Sequence, residues 1–214
     1  MNEKEVSKLN AKPLPIEDYK PQPIPQSLKV ILGEQKEQGG EQKLEATLVK
    51  VDSFQMLATK VKGKMKNFEA GKEVRKGWRR LQDVIAPDRS ILVEENEGIV
   101  FYNQADMVQP DGSIELWVGV KVNTITTIPA EFQLVTIPER KYAKIECRCF
   151  SREQMDLRYN YLSQWMNEEG YQLDDGPNAF SLEPNRLDKF NTFEVPADQI
   201  QAFDFDILYP VKEG

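Results

Sequence analysis

The alternation of apolar and polar positions predicts an α+β domain that begins near Lys43. Short runs with an apolar residue at every second position are typical of half-buried strands, and two longer runs with apolar steps of three and four are typical of helices. The first helical run is Glu69–Ile85, which ends before Pro87. The second is Ser151–Glu168, which opens on a capping serine and ends before Gly170.

The remaining apolar runs predict the strands of one sheet. Each is short, and each is bounded by polar turn residues or by proline. They are Leu48–Val51, Met56–Val61, Ile91–Val93, Ile99–Tyr102, Ile114–Val122, Leu134–Ile137, Tyr142–Cys149, Ala179–Glu183 and Ala202–Pro210.

The second half of the chain repeats the first. Leu48–Val51 and Leu134–Ile137 are 86 residues apart, and Trp78 and Trp165 are 87 residues apart. This spacing predicts a duplicated β-α-β-β unit in which one antiparallel sheet carries two main helices on one side. We expect a concave ligand pocket at the seam between the halves, on the sheet face opposite to the helices.

Residues 1–42 differ in composition from the rest. Five prolines fall between Pro13 and Pro25, and Gly39 and Gly40 close the segment. This composition predicts an N-terminal arm or linker, followed by a domain over 43–214. The prolines leave no room for a helix-turn-helix that reads DNA.

The formal net charge of −7 argues against direct binding of nucleic acid. It leaves open a cationic organic ligand or a basic protein partner. The longest apolar runs fall far short of the roughly 20 residues that a membrane span needs. The first residues also lack the apolar core of an export signal, so we expect a cytoplasmic protein without membrane contact.

The residue types limit the chemistry. The chain has no histidine, and its two cysteines, Cys147 and Cys149, are spaced as neighbours on one face of a strand. The usual zinc ligands and a thiol–imidazole pair are therefore missing, and we expect neither a metal nor a cofactor. Without a Gly-x-Ser-x-Gly elbow or a phosphate-binding glycine loop, the sequence favours binding over turnover.

Several motifs occur in an order and spacing that resemble the GyrI-like effector-binding family. That family includes gyrase-inhibitor proteins and the ligand domains of AraC-type and MerR-type multidrug regulators. The motifs are Leu116–Val122, Ile128–Phe132, Val135–Pro138, Tyr142-Ala143, Trp165–Tyr171 and Asp206–Val211.

The resemblance implies a stand-alone effector-binding protein with a central aromatic pocket for small lipophilic or aromatic molecules. In the family a buried acid in this pocket pairs with lipophilic cations, and a regulatory or drug-resistance role goes with it. Two alternatives stay open. One is an inhibitor that binds a basic protein partner such as a topoisomerase, and the other is a hydrolase that uses a pocket glutamate.

The family's acid aligns in two ways on this chain. With Phe180 and Arg186–Asp188 in register, Ser181 takes its position, and a shift of two residues gives the role to Glu183. Strand alternation points both side chains to one face. Glu146 is the second candidate acid. The candidate pocket walls, which can equally be ordinary core, are Phe101, Trp117, Tyr142, Trp165 and Phe180.

Overall fold

The computed structural model describes residues 44–123, 125 and 127–212. The predicted arm, 1–42, lies outside the described residues. No helix in the described part of the chain is long and apolar enough to cross a membrane.

The described residues form two long helices and eight strands. The helices are α1 (Glu69–Ile85) and α2 (Arg152–Glu168). The strands are β1 (Ala46–Val51), β2 (Phe54–Lys64), β3 (Glu97–Asn103), β4 (Ser113–Val122), β5 (Gln133–Ile137), β6 (Arg140–Cys149), β7 (Phe180–Arg186) and β8 (Phe203–Pro210).

All eight strands join one antiparallel sheet in the order β1-β6-β8-β7-β3-β4-β2-β5. Strands β1 to β4 of the first half correspond in order to β5 to β8 of the second half. When each strand is replaced by its counterpart and the sheet is read from the opposite edge, the order is the same. The predicted duplication, with two helices on one antiparallel sheet, is therefore confirmed.

The twofold axis of the repeat passes through the central strand pair. β3 begins at Glu97 and β7 at Phe180, so equivalent residues lie 83 positions apart. Val100 and Glu183 have this separation and also face each other in the β3–β7 register. Each is therefore the repeat equivalent of the other, and the axis runs between them.

Two short connections force the sheet to curl. In the strand order β1 and β2 are six places apart, which is about 29 Å in a flat sheet. Only Asp52 and Ser53 join them, and three peptide links span at most about 11 Å. Strands β5 and β6 are also six places apart in the sheet and are joined by only two residues, Pro138 and Glu139. Ser53 fastens the curl by donating a hydrogen bond of 3.0 Å from Oγ to the carbonyl of Ile137.

The inside of the curl is packed by its own side chains. Met56, Ile99, Leu182 and Leu208 from four inner strands meet partly buried residues of both edge strands there. On the other face, α1 packs on β2 and β4, and α2 packs on β6. Each helix thus has its own core, and the central strands lie between the two helices.

One predicted strand is wrong. Ile91–Val93 does not form a strand, because Arg89–Ile91 makes a 3₁₀ turn capped by the side chain of Asp88. Leu92 then makes only an isolated bridge to Val122. Three apolar residues between polar turns are too few to separate a strand from a turn that buries one side chain.

Candidate functional site

The seam between the helices has a polar floor. Strand alternation turns Ser181, Glu183 and Asn185 of β7 toward the helix side, opposite Val100 and Tyr102 of β3. Because Val100 and Tyr102 belong to the core beneath α1, the β7 side chains paired with them also lie on the helix side of the sheet.

Glu183 accepts hydrogen bonds from two tyrosines on different elements. The hydroxyl of Tyr159 on α2 donates to its Oε1 at 2.8 Å, and that of Tyr102 on β3 donates to the same oxygen at 3.3 Å. Tyr209 of β8 lies beside Tyr102, close enough for the charge of Glu183 to act on it. The carboxylate thus has three phenols around it.

Glu183 is half-buried, and we refer to the partly exposed space over its carboxylate as the recess. Protein atoms surround Glu183 as densely as a fully interior group, yet the residue keeps part of its solvent-accessible surface. Tyr159 combines the same two properties. Dense surroundings together with residual exposure are expected at the bottom of an indentation, whereas a solid core would leave no accessible surface.

The recess shifts the ionisation of its groups. Burial raises the pKa of Glu183, and the hydrogen bonds from Tyr159 and Tyr102 offset part of that rise because they favour the ionised form. Burial and the nearby charge of Glu183 raise the pKa of both tyrosines well above 10. The phenols therefore stay protonated at neutral pH and remain hydrogen-bond donors.

Glu183 has no cationic partner among the described residues. The ion pairs of these residues involve other carboxylates, and the groups that act on the Glu183 carboxyl are the two tyrosines and burial. A buried carboxylate without a counter-ion is costly, and natural proteins usually pair it. The repeat does not supply a second acid, because the equivalent position is Val100.

A loop walls one end of the recess. The connection between β7 and β8, residues 187–202, is longer than its repeat equivalent, 104–112. Phe193 stacks on Trp78 of α1 with centroids 4.5 Å apart, and Arg75 of α1 donates hydrogen bonds to the carbonyls of Thr192 and Val195. Thr192 also bonds to Asn185 at 3.2 Å. The floor is thereby closed at its Asn185 end.

Of the residues selected from sequence, Glu183 and Ser181 lie on this floor, on one face as alternation predicts. Ser181 is almost fully buried and accepts a 3.2 Å hydrogen bond from the side chain of Gln104. Glu183, and not Ser181, stands beside the twofold axis.

Four of the predicted wall residues face the other way. Phe101, Trp117, Phe180 and Tyr142 all belong to the cluster inside the curl, where Phe101 stacks on Trp117 and meets Phe180 edge to face. The expectation of an open pocket on the face away from the helices is therefore wrong. The curl brings the edge strands over that face and fills its centre with side chains.

The two remaining candidates lie away from the recess. Trp165 packs against Tyr171, and it is about 120° around α2 from Tyr159, six residues earlier. Glu146 is exposed and lines a hollow of about 340 Å³ at the β1 edge, together with Glu45, Lys144 and Arg158. That hollow has charged, open walls and no buried acid.

Sequence reasoning missed the three tyrosines of the recess. Tyr159 lies on the apolar stripe of the second helix, which gives it the pattern of a core residue. Tyr102 and Tyr209 lie near the ends of two strands that are far apart in the chain. Their convergence depends on β3, β7 and β8 being neighbours. A signal was present in the duplication, since its axis falls at Val100 and Glu183 once β3 and β7 are aligned.

Comparison with known proteins agrees with this architecture. A family model for integron-associated effector binding proteins matches residues 47–211. No curated protein sequence matches the chain.

Three solved structures are similar in fold. The EcmrR C-terminal domain has a TM-score of 0.55 at 13% identity, covering 81% of this chain and all of that domain. EcmrR in a complex with DNA has a TM-score of 0.58 at 12% identity, covering 88% of this chain and 64% of that one. A conserved protein from Listeria innocua has a TM-score of 0.52 at 12% identity, covering 85% and 98%. At these identities the likeness concerns the fold alone.

Proposed function

The chain belongs to the family of integron-associated effector-binding proteins, and from that premise we propose that it binds lipophilic organic cations in the recess over Glu183. Family membership gives small-molecule binding. The charge and character of the ligand are the proposal.

The observation that carries the proposal is the unpaired carboxylate of Glu183. Its hydrogen bonds come from Tyr159 and Tyr102, which are neutral, and no described basic side chain forms an ion pair with it. A bound cation would supply the missing counter-charge in surroundings where charges attract more strongly than in water. Binding a cation would relieve the free-energy cost of burying the charged acid, and this relief would add to the cation's affinity.

The walls favour a delocalised, aromatic cation. Three phenol rings surround the acid, and Phe205 lies 6.3 Å from Tyr159, centroid to centroid. Ring faces attract cations, and flat apolar surfaces accept ligands of different outline. The arrangement supports binding of several lipophilic cations, as an effector sensor or a sequestering protein would require.

The test compares a cation with a neutral molecule of similar shape. Tetraphenylphosphonium and triphenylphosphine oxide are titrated by calorimetry into the wild-type protein, Glu183→Gln and Glu146→Gln. Glu146→Gln is the matched control, because it removes an exposed acid outside the recess.

We expect one tetraphenylphosphonium per chain in the wild type and in Glu146→Gln. In Glu183→Gln the affinity for the cation should fall about 30-fold or more, because removing one partner of a buried charge pair costs about 2–5 kcal/mol. Affinity for the neutral molecule should be unchanged. Equal binding of the cation by wild type and Glu183→Gln, or no saturable binding of any lipophilic cation, would contradict the proposal.

A further inference from the structure

Two buried thiols lie side by side on β6, near enough to the recess for the charge of Glu183 to act on Cys147. Cys147 and Cys149 point to the α2 side of β6, and their Sγ atoms are 3.6 Å apart. Both are free and at most 2% exposed. β6 ends at Cys149, so the pair lies at a strand end, where local opening is easiest.

Arg158 of α2 places a buried positive charge beside this pair. It is 8% exposed, its two terminal nitrogens donate to the carbonyls of Gln154 and Arg148, and its Nε has no hydrogen-bond partner. None of the ion pairs among the described residues includes Arg158. Its charge acts on both thiols and favours their ionised forms.

The two sulfurs are within hydrogen-bonding distance of each other. The hydrogen bond between them lowers the pKa of Cys149 and raises that of Cys147, which keeps its proton. When Cys149 ionises, Arg158 supplies a positive charge beside its thiolate. Such a thiol–thiolate pair is a stronger nucleophile than two ordinary buried cysteines.

A disulfide fits this geometry poorly. Residues two apart in a strand have Cα atoms about 6.7 Å apart, at the upper limit for a disulfide. The sulfurs would have to close from 3.6 Å to about 2.0 Å while β6 stays paired with β8 through Phe203 and Phe205. The strand would need to bend.

A metal ion that needs three or more protein ligands fits poorly as well. The described residues contain no group of three or more His, Cys, Asp or Glu side chains placed to hold a metal ion. The nearby guanidinium would also repel a divalent cation. A thiophilic partner that fits better is one that needs only two sulfurs and leaves a neutral product.

We propose that Cys147 and Cys149 form a dithiol site for trivalent organoarsenicals, with Arg158 as the positioning charge. A monosubstituted arsenic(III) centre carries one organic group and takes two further ligands, which matches two sulfurs held side by side. Arg158 and Ile145, which neighbour the pair, line the hollow of about 340 Å³ beside β1.

The reaction is a ligand exchange without oxidation or reduction. With phenylarsine oxide the arsenic–oxygen bonds break and two arsenic–sulfur bonds form. The oxygen leaves as water with the two protons of the dithiol, one of which the solvent holds while Cys149 is ionised. The product centre is uncharged.

The test uses the reduced full-length protein and phenylarsine oxide. Intact-mass spectrometry counts adducts over time, and a thiol-specific dye counts the remaining cysteines, in native buffer and in denaturant. Cys147→Ser, Cys149→Ser and Arg158→Met are compared with wild type after far-ultraviolet circular dichroism has verified their folding. Cadmium chloride is the competing probe.

The native wild type should take up one phenylarsine and lose both free thiols, and a small dithiol should reverse this. Each serine variant should lose the adduct, Arg158→Met should form it about tenfold more slowly because less thiolate is present, and cadmium should not compete. An adduct that forms in denaturant but not in the native wild type overturns the proposal without needing any variant. So does an unchanged rate in Arg158→Met.

Discussion

Glu183 is held in place by hydrogen bonds that favour its ionised form, while burial opposes ionisation. Burial prevails, since the pKa of Glu183 is raised. The ionised carboxylate is therefore costly in the apoprotein, and a bound cation would relieve that cost. Tyr159 makes the shorter of the two hydrogen bonds and belongs to a helix, so it links the charge state of the recess to the position of α2.

Tyr159→Phe tests this link at the level of one atom. Loss of the 2.8 Å hydrogen bond raises the pKa of Glu183 further and weakens cation binding. A hydrogen bond to a charged group contributes about 1.5–3 kcal/mol, so we expect a loss of about tenfold or more in affinity for tetraphenylphosphonium at neutral pH.

Tyr161→Phe is the control, because it changes the same residue type on the same helix, about 160° away from Tyr159. Calorimetry under identical conditions measures both variants. If Tyr159→Phe binds as tightly as Tyr161→Phe, the phenol does not support the carboxylate.

The elements of the fold were largely predictable from periodicity. α1 has the predicted bounds, and α2 differs by one residue because Ser151 is its cap. The face that holds the ligand was not predictable, since it depends on which distant strands become neighbours. Alternation places Ser181 and Glu183 together, but only the β3–β7 and β7–β8 pairings bring Tyr102 and Tyr209 to them.

Gly77 shows how α1 is fitted to the sheet. A Cβ there would lie 2.7 Å from Val118 Cγ1 and 2.9 Å from Val61 Cγ1. Alanine is favoured over glycine in a helix by about 1 kcal/mol, whereas overpacking a core costs about 1–3 kcal/mol. We expect the steric overlap to outweigh the gain in helix propensity, so that Gly77→Ala lowers the free energy of unfolding by about 1–2 kcal/mol.

Urea denaturation measures this change, with Gly71→Ala as the comparison on the same helix. A Cβ at Gly71 would meet one methyl group, that of Ala197, at 3.0 Å, so the gain in helix propensity should roughly cancel the strain. A Gly77→Ala protein as stable as wild type would show that α1 is packed more loosely than described.

The described domain as a whole is a twofold repeat with one asymmetric group at its centre. The strand order and the two short crossings obey the symmetry, but the axis separates an acid, Glu183, from an apolar residue, Val100. Two acids there would repel each other across a strand pair. A single acid predicts one cation per chain, and the repeat supplies the scaffold that surrounds it.

The raised pKa of Glu183 has opposite consequences for folding stability and for cation affinity as pH rises. Since folding raises the pKa of Glu183, the folded state loses stability as pH rises from the ordinary range of glutamate through the raised value. A cation binds the ionised form, so its affinity rises over the same interval and then levels off. Below the raised pKa, binding releases a proton.

The most direct test of the central claim is calorimetric titration of tetraphenylphosphonium across a pH series, in two buffers with different ionisation enthalpies. We predict that affinity climbs with pH to a plateau, that up to one proton is released per cation below it, and that both effects vanish in Glu183→Gln. Affinity independent of pH with no proton release in the wild type would contradict the assignment of Glu183 as the cation's counter-ion.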